Sequence, residues 1–140
     1  DLAIAADTAQ FSTPGVHIGL FCSTPMVALS RNVADKHAME MLLTGDMVSA
    51  ARAAEIGLVN RAVAPEALQE TTMEMARKIA SKSSMTLATG KRAYYAQREM
   101  GLAQAYDYAS GVMVDNMLAQ DAEEGIGAFI AKRAPQWQDA

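Results

Sequence analysis

Residues 9–25 read AQFSTPGVHIGLFCSTP, and the course of the backbone through them decides how the rest of the chain is arranged. Gln10, Phe11 and Ser12 suit the end of a strand. Pro14 fixes its own φ and Gly15 admits backbone angles closed to most residues, so the strand must break there. Beyond the break, Val16, Ile18 and Leu20 alternate with His17 and Gly19, a period of two that predicts an extended segment. Thr24 is a good N-cap and Pro25 suits the first helical position, so a helix is expected to start here. A strand end, a bend, an extended crossing and a helix start make a common scaffold for a ligand site, although most such loops only connect.

Upstream, Leu2 to Ala6 is an apolar, strand-like run. The strand candidates are residues 2–6, 9–12 and 60–64. Three short strands make a poor sheet, and strands need neighbours for their backbone groups. The chain is therefore expected to be a fragment, a cleaved product or one part of a larger protein. Downstream, helices dominate. The first is expected over 25–33 and a second over 35–44, capped by Asp35 and stopped by Gly45, with Ala38, Met39, Leu42 and Leu43 inward. Ser49 caps a third, alanine-rich helix that ends at Gly57; its alanines permit close packing as well as favouring helix.

A strand over 58–64 ends at Pro65, and an amphipathic helix follows over 66–82. Ser81 to Ser84 is a polar break, which suggests domains at 1–82 and 83–140. Further helices are expected over 85–99, 102–119 and 122–133, the last with a D-x-x-E capping pattern at Asp121 and Glu124. The tail 136–140 reads as loose, with Trp137 available to pin it.

At 140 residues the chain can form a domain with a real core, and its 51% hydrophobic and 20% charged content is ordinary for a globular protein. A net charge of −4 with no basic run argues against a general nucleic-acid binder. No apolar run reaches membrane-spanning length, and no basic, cleavable leader pattern is visible. One cysteine, Cys22, excludes an internal disulfide and a cysteine-rich zinc site, and two histidines twenty residues apart make a weak case for a metal. A reducing, cytoplasmic setting is expected. Phosphate-binding glycine loops, paired zinc histidines and nucleophile elbows are not found. The ten methionines read as core filler, the tyrosines as packing at helix junctions or a subunit interface, and Lys91-Arg92 and Lys132-Arg133 as solvated charges unless a phosphate lies beside them.

The order and wording of the segments say more. Asp1-Leu2-Ala3-Ile4-Ala5 is followed by Ala9-Gln10-Phe11, then by Ala38-Met39-Glu40-Met41-Leu42-Leu43-Thr44-Gly45. Ser49-Ala50 then leads to Gly57-Leu58-Val59-Asn60, and Glu124-Gly125-Ile126-Gly127-Ala128-Phe129 to Lys132-Arg133. Each piece alone is weak, but together, in this order, they resemble the C-terminal half of the crotonase superfamily, the enoyl-CoA hydratase/isomerase family. Thr13-Pro14-Gly15-Val16 and Gly19 to Pro25 resemble its branch of enoyl-CoA hydratase domain-containing proteins.

The resemblance implies an α/β fold: the C-terminal part of a ββα spiral, then a helical region that makes homo-trimers, often hexamers. It implies acyl-CoA thioesters as ligands, with coenzyme A as part of the substrate, no tightly bound cofactor, and a place in fatty-acid metabolism. In a eukaryote the compartment would be the mitochondrial matrix. Two backbone N–H groups that hold the thioester oxygen, and a first catalytic glutamate, would belong to a missing N-terminal half, so this chain alone is expected to be inactive.

At the position of the second hydratase glutamate this chain has Gly15, which exchanges no proton, so hydration by two glutamates is in doubt. Some isomerases carry an acid at the position of Ser23, also a poor acid–base. His17, on the same side as Gly15 if the segment is extended, is a candidate base, with a structural histidine as the plainer reading. Cys22 near a helix start invites thiolate character, but a structural thiol is the simpler view. Phe129 and Lys132 match positions that line the adenine end of coenzyme A: an aromatic face for the base and an ammonium for phosphate. The alternative to a catalyst is a non-catalytic acyl-CoA-binding or regulatory family member.

Overall fold

Asp1–Glu74 and Met75–Ala140 form two units in a computed structural model that describes all 140 residues. The change of unit falls within a helix, Leu68–Ala80, ahead of the polar stretch 81–84.

In the first unit, β1 (Ile4–Ala6) lies parallel to β4 (Arg61–Val63), with Ile4 opposite Arg61. Asn60 fastens the start of this pair. Its N–H donates to the Ala3 carbonyl and its Oδ1 accepts from the Ala3 N–H, both at 2.7 Å. A second pair, antiparallel, joins β2 (Gln10–Phe11) to β3 (Val48–Ser49), with Phe11 opposite Val48. The three expected strands are present but shorter, and β3 was not anticipated, because two residues are too few to display a period.

The extended segment expected after Pro14 is instead a 3-10 helix, Pro14–Ile18. Proline occupies its first position, and Gly19 closes it in the left-handed region at φ +74. The alternation of Val16, Ile18 and Leu20 misled because no strand pairs with this segment, and Ile18 and Leu20 stay exposed. His17 and Gly15 therefore do not share a face by strand alternation.

Two caps also differ from expectation. α1 (Ser23–Leu29) has Cys22 at its N-cap, so Thr24 and Pro25 lie within its first turn. Proline is tolerated there because first-turn N–H groups have no intrahelical acceptor. α2 (Asp35–Thr44) has Ala34 at its N-cap; Asp35 is its first residue, where its charge suits the helix dipole. Its buried face is Ala38, Met41 and Leu42, whereas Met39 and Leu43 are exposed, so the expected stripe was rotated. Gly45 ends α2 as expected, at φ +69.

Ser49 caps α3 (Ala50–Glu55), its Oγ accepting from the Arg52 N–H at 3.2 Å. Ala50 and Ala53 are fully buried, so small side chains let α3 close onto the strands. One core cluster gathers Leu29, Val33, Ala38, Met41 and Leu42; another gathers Ala5, Ala50, Ala53 and Val59. Phe11, Val48 and Leu58 touch both clusters and join them into one core.

A 3-10 turn, Pro65–Ala67, precedes α4 (Leu68–Ala80), which carries the chain into the second unit. There follow α5 (Ser84–Gln97), α6 (Leu102–Met117) and α7 (Gln120–Ile130). Ser83 caps α5 by accepting from the Thr86 N–H at 3.0 Å. Asp121 does not cap α7: Ala119 is the N-cap, and Asp121 sits inside the first turn, only 2% exposed.

Its side chain holds the tail, which is not loose. Asp121 Oδ1 accepts from the Gln138 N–H at 2.7 Å and Oδ2 from the Asp139 N–H at 3.1 Å. The Asp121 N–H donates to the Ala140 carbonyl at 3.0 Å, and Asp139 Oδ1 accepts from the Ser84 N–H at 2.7 Å. Trp137 pins the tail as expected, its indole N–H donating to the Ser81 carbonyl at 2.9 Å. Ala128 is the only buried apolar residue of this unit, so these polar bonds carry an unusual share of its order.

Candidate functional site

The residues singled out by sequence fall into two groups, one in each unit. In the first unit, two hydroxyls anchor the approach to the Pro14 turn. The Thr13 hydroxyl, buried, donates to the Met41 carbonyl at 2.8 Å, and the Ser12 hydroxyl donates to the Gly45 carbonyl at 2.8 Å. They fix the turn to the end of α2.

The turn then closes on Gly15. Its carbonyl accepts from the Leu20 N–H at 3.0 Å, and its own N–H donates to Cys22 Sγ at 3.3 Å. A Cβ at Gly15 would lie 2.8 Å from the Leu20 carbonyl oxygen and 2.8 Å from Cys22 Sγ. Glycine is thus demanded by close approach of the backbone, and this turn as built has no room for a side chain. Cys22, a free and half-buried thiol, works as a hydrogen-bond acceptor inside the turn. Ser23 opens α1 and its hydroxyl donates to the Phe21 carbonyl at 3.3 Å.

His17 lies over Gly45, with Nε2 3.2 Å from the Gly45 carbonyl. A carbonyl only accepts, so this contact is a hydrogen bond in the tautomer that carries its proton on Nε2. Nδ1 is then the basic atom. A Cβ at Gly45 would come within 2.8 Å of His17 Nε2, so Gly45 both stops α2 and seats the imidazole.

A separate cleft of about 340 Å³ opens between α2, β3 and α3, lined by His37, Glu40, Thr44, Ser49, Arg52 and Ile56 among others. Arg52 donates to Glu55 at 3.0 Å and reaches His37 Nδ1 at 3.5 Å, so its charge is matched locally. No cluster of three His, Cys, Asp or Glu side chains suited to a metal ion is present.

In the second unit, Phe129 lies in the last turn of α7, 83% exposed, and Lys132 just past its end. The ammonium of Lys132 has no ion-pair or hydrogen-bond partner. Its neighbour Arg133 is fully engaged: both terminal nitrogens donate to Glu124, at 2.6 and 2.8 Å. Glu124 also accepts from the Gln136 N–H at 2.7 Å. The paired guanidinium, and after it this backbone N–H, hold the Glu124 carboxyl down at about 2.

The spacing offers Glu124 as part of a helix cap and Arg133 as a solvated charge; instead the two pair with each other. Their separation, across a helix end, carries no periodic signal. The pair has a pH consequence. The carboxyl titrates near 2 when folded and near 4.5 otherwise, so its contribution is complete above pH 4.5 and is lost as the pH falls toward 2. The Asp139 carboxyl is lowered as well, by hydrogen bonds from Ser84, and weakens in the same direction. Acid titration of the single tryptophan's emission is expected to shift as Trp137 leaves Ser81 within that window. An emission flat down to pH 2 would refute the coupling.

The enoyl-CoA hydratase/isomerase family model matches residues 1–140, and the chain belongs to that family. The mitochondrial enoyl-CoA hydratase domain-containing protein 3 of Mus musculus is 50% identical over 137 residues, 98% of this chain and 46% of that protein. The crystal structure of an enoyl-CoA hydratase from Mycobacterium smegmatis superposes with a TM-score of 0.94 at 49% identity, covering 98% of this chain and 53% of that one. That of human enoyl Coenzyme A hydratase domain-containing protein 3 gives 0.92 at 50% identity, over 98% and 54%. The fold is thus the α/β crotonase fold, and the chain spans about half the length of the relatives it matches. No helix is long and apolar enough to cross a membrane.

Proposed function

We propose that the protein to which this chain belongs binds acyl-CoA thioesters, and that its chemistry is enolate stabilisation at the thioester, not hydration by paired glutamates. The crowding at Gly15 carries this reading: the position expected to hold the second acid is closed by Leu20 and Cys22. A proton donor or acceptor must reach the reacting atom, and a glycine offers neither. On this reading the amides that hold the thioester oxygen come from residues outside this chain. Coenzyme A enters as part of the substrate, and no tightly bound cofactor is required.

Phe129 and Lys132 would take the nucleotide end, an open aromatic face for adenine and an unpaired ammonium for phosphate. The exposed Leu102, Tyr106, Met113, Val114 and Met117 of α6, with Leu118 at its C-cap, support assembly of copies into trimers or hexamers. The mitochondrial relative supports the mitochondrial matrix as the compartment in a eukaryote.

The test is an assay of the protein against a panel of 2-enoyl-CoA thioesters, with calorimetric binding of coenzyme A alongside. Binding without efficient hydration is expected. Rapid hydration would overturn the chemical assignment, and absence of coenzyme A binding would overturn the whole reading. If His17 is the base, acting through Nδ1, His17→Gln lowers turnover by about 100-fold or more. Unchanged turnover removes it from that role. Binding with no turnover of any thioester would favour the non-catalytic, regulatory alternative, which the closed Gly15 turn also supports.

A further inference from the structure

The end of α7 is built around a strained residue. The Arg133 N–H donates to the Ala128 carbonyl at 3.0 Å and the Lys132 N–H to the Phe129 carbonyl at 3.2 Å, the two bonds of a Schellman turn. That turn places Lys132 in the left-handed region at φ +53. Glycine is the usual occupant, because a Cβ is strained there. Across the whole chain, only Lys132 and Asp139 among non-glycine residues have a positive φ. Strain of this kind persists only where the surroundings over-determine it.

The surroundings are Glu124 and Arg133. Both oxygens of Glu124 are occupied by Arg133, and one also takes the Gln136 N–H, so residues 133–136 are tied to the body of α7. The segment that follows Lys132 cannot unwind to relieve it. The same pair settles the charge. Arg133 is neutralised by Glu124, while Lys132, three residues after the exposed Phe129, is left as the uncommitted cation.

We infer that Glu124 and Arg133 are positioning residues: they hold Lys132 in its left-handed turn so that its ammonium and the Phe129 ring meet one phosphorylated adenine nucleotide together. The inference rests on the reading that coenzyme A binds this chain through Phe129 and Lys132. It adds a reason for a lysine to stand where a glycine is easier: the site needs the charge, and the ion pair holds the backbone that presents it.

A double-mutant cycle on the full chain tests it, with coenzyme A binding measured by calorimetry at fixed salt. Lys132→Ala is expected to weaken binding about tenfold, the loss of one charge-assisted contact. Glu124→Gln should weaken it several-fold, and should cost nothing further once Lys132→Ala is present, because Glu124 acts through Lys132. Arg133→Lys keeps the charge but not the two-pronged bond and should behave like Glu124→Gln, which covers the case in which that variant folds poorly.

Equal losses from Glu124→Gln with and without Lys132→Ala would mean a general effect on folding and would overturn the inference. So would no loss from either Glu124→Gln or Arg133→Lys while Phe129→Ala and Lys132→Ala weaken binding. If Phe129→Ala and Lys132→Ala leave binding unchanged, or the unaltered chain fails to bind coenzyme A, the underlying reading fails and takes the inference with it.

Discussion

Gly15→Glu is expected to damage the Pro14 turn and to install no acid. The first atom of the new side chain would sit 2.8 Å from the Leu20 carbonyl oxygen and from Cys22 Sγ. One of these obstacles is backbone, tied to Gly15 through the 3.0 Å bond that the Leu20 N–H makes to the Gly15 carbonyl, and has little freedom to retreat. Overpacking of this kind costs about 1–3 kcal/mol. Moving Cys22 away also breaks the sulfur contact to the Gly15 N–H, which adds about 1 kcal/mol. Urea unfolding followed by far-ultraviolet circular dichroism should show a clear fall in midpoint, and the enoyl-CoA assay no gain in hydration. A variant that kept its midpoint and hydrated enoyl thioesters would mean that the turn opens easily. Gly15→Ala separates bulk from charge: most of the loss should already appear with the methyl group.

The second large effect is expected at Asp121→Ala. This side chain is 2% exposed and accepts two tail N–H groups, those of Gln138 and Asp139. Hydrogen bonds to a charged acceptor contribute about 1.5–3 kcal/mol each, so loss of the pair should release the tail at a cost of about 3 kcal/mol or more. Release would also free Asp139 from the Ser84 N–H and Trp137 from the Ser81 carbonyl. Tryptophan emission in the absence of denaturant is the direct readout, since the chain has one tryptophan. A red shift is expected, with a lowered melting temperature. Asp121→Asn retains one acceptor oxygen and should fall between the two. Emission unchanged in Asp121→Ala would show that Trp137 holds the tail by itself.

These residues also mark where sequence reasoning succeeded and where it failed. Helices were legible because periodicity, Ser49 and Gly45 act locally, within one turn of where they stand, whereas the cap at Ser83 was hidden in a stretch that read only as a polar break. The Pro14–Ile18 turn was not, because Val16, Ile18 and Leu20 imitate a strand while no neighbouring strand exists to pair with them. Met39 and Leu43 looked like core by their spacing, yet burial is decided by what lies opposite, and α2 turns Met41 inward instead.

Asp121 and Glu124 had the spacing of a helix cap, but each serves a segment far along the chain. Their partners there are mainly backbone N–H groups, which every residue but proline supplies, so composition gives no hint of them. The Phe129 and Lys132 pairing was read from family wording. The left-handed turn beneath Lys132 had no local signal, since nothing in lysine's own preferences asks for it.

Each unit is fastened by a contact between its own extremities: Ala3 with Asn60 in one, Ser84 with Asp139 in the other, positions separated by 57 and 55 residues. Loops of that span carry a substantial closure entropy, which grows only slowly with further length. Contacts so distant along the chain are the slow ones to form, so the helices should condense first and the fastenings last. Substitutions there should hasten unfolding far more than they retard refolding, a signature that stopped-flow chevrons would read from Asp139→Ala.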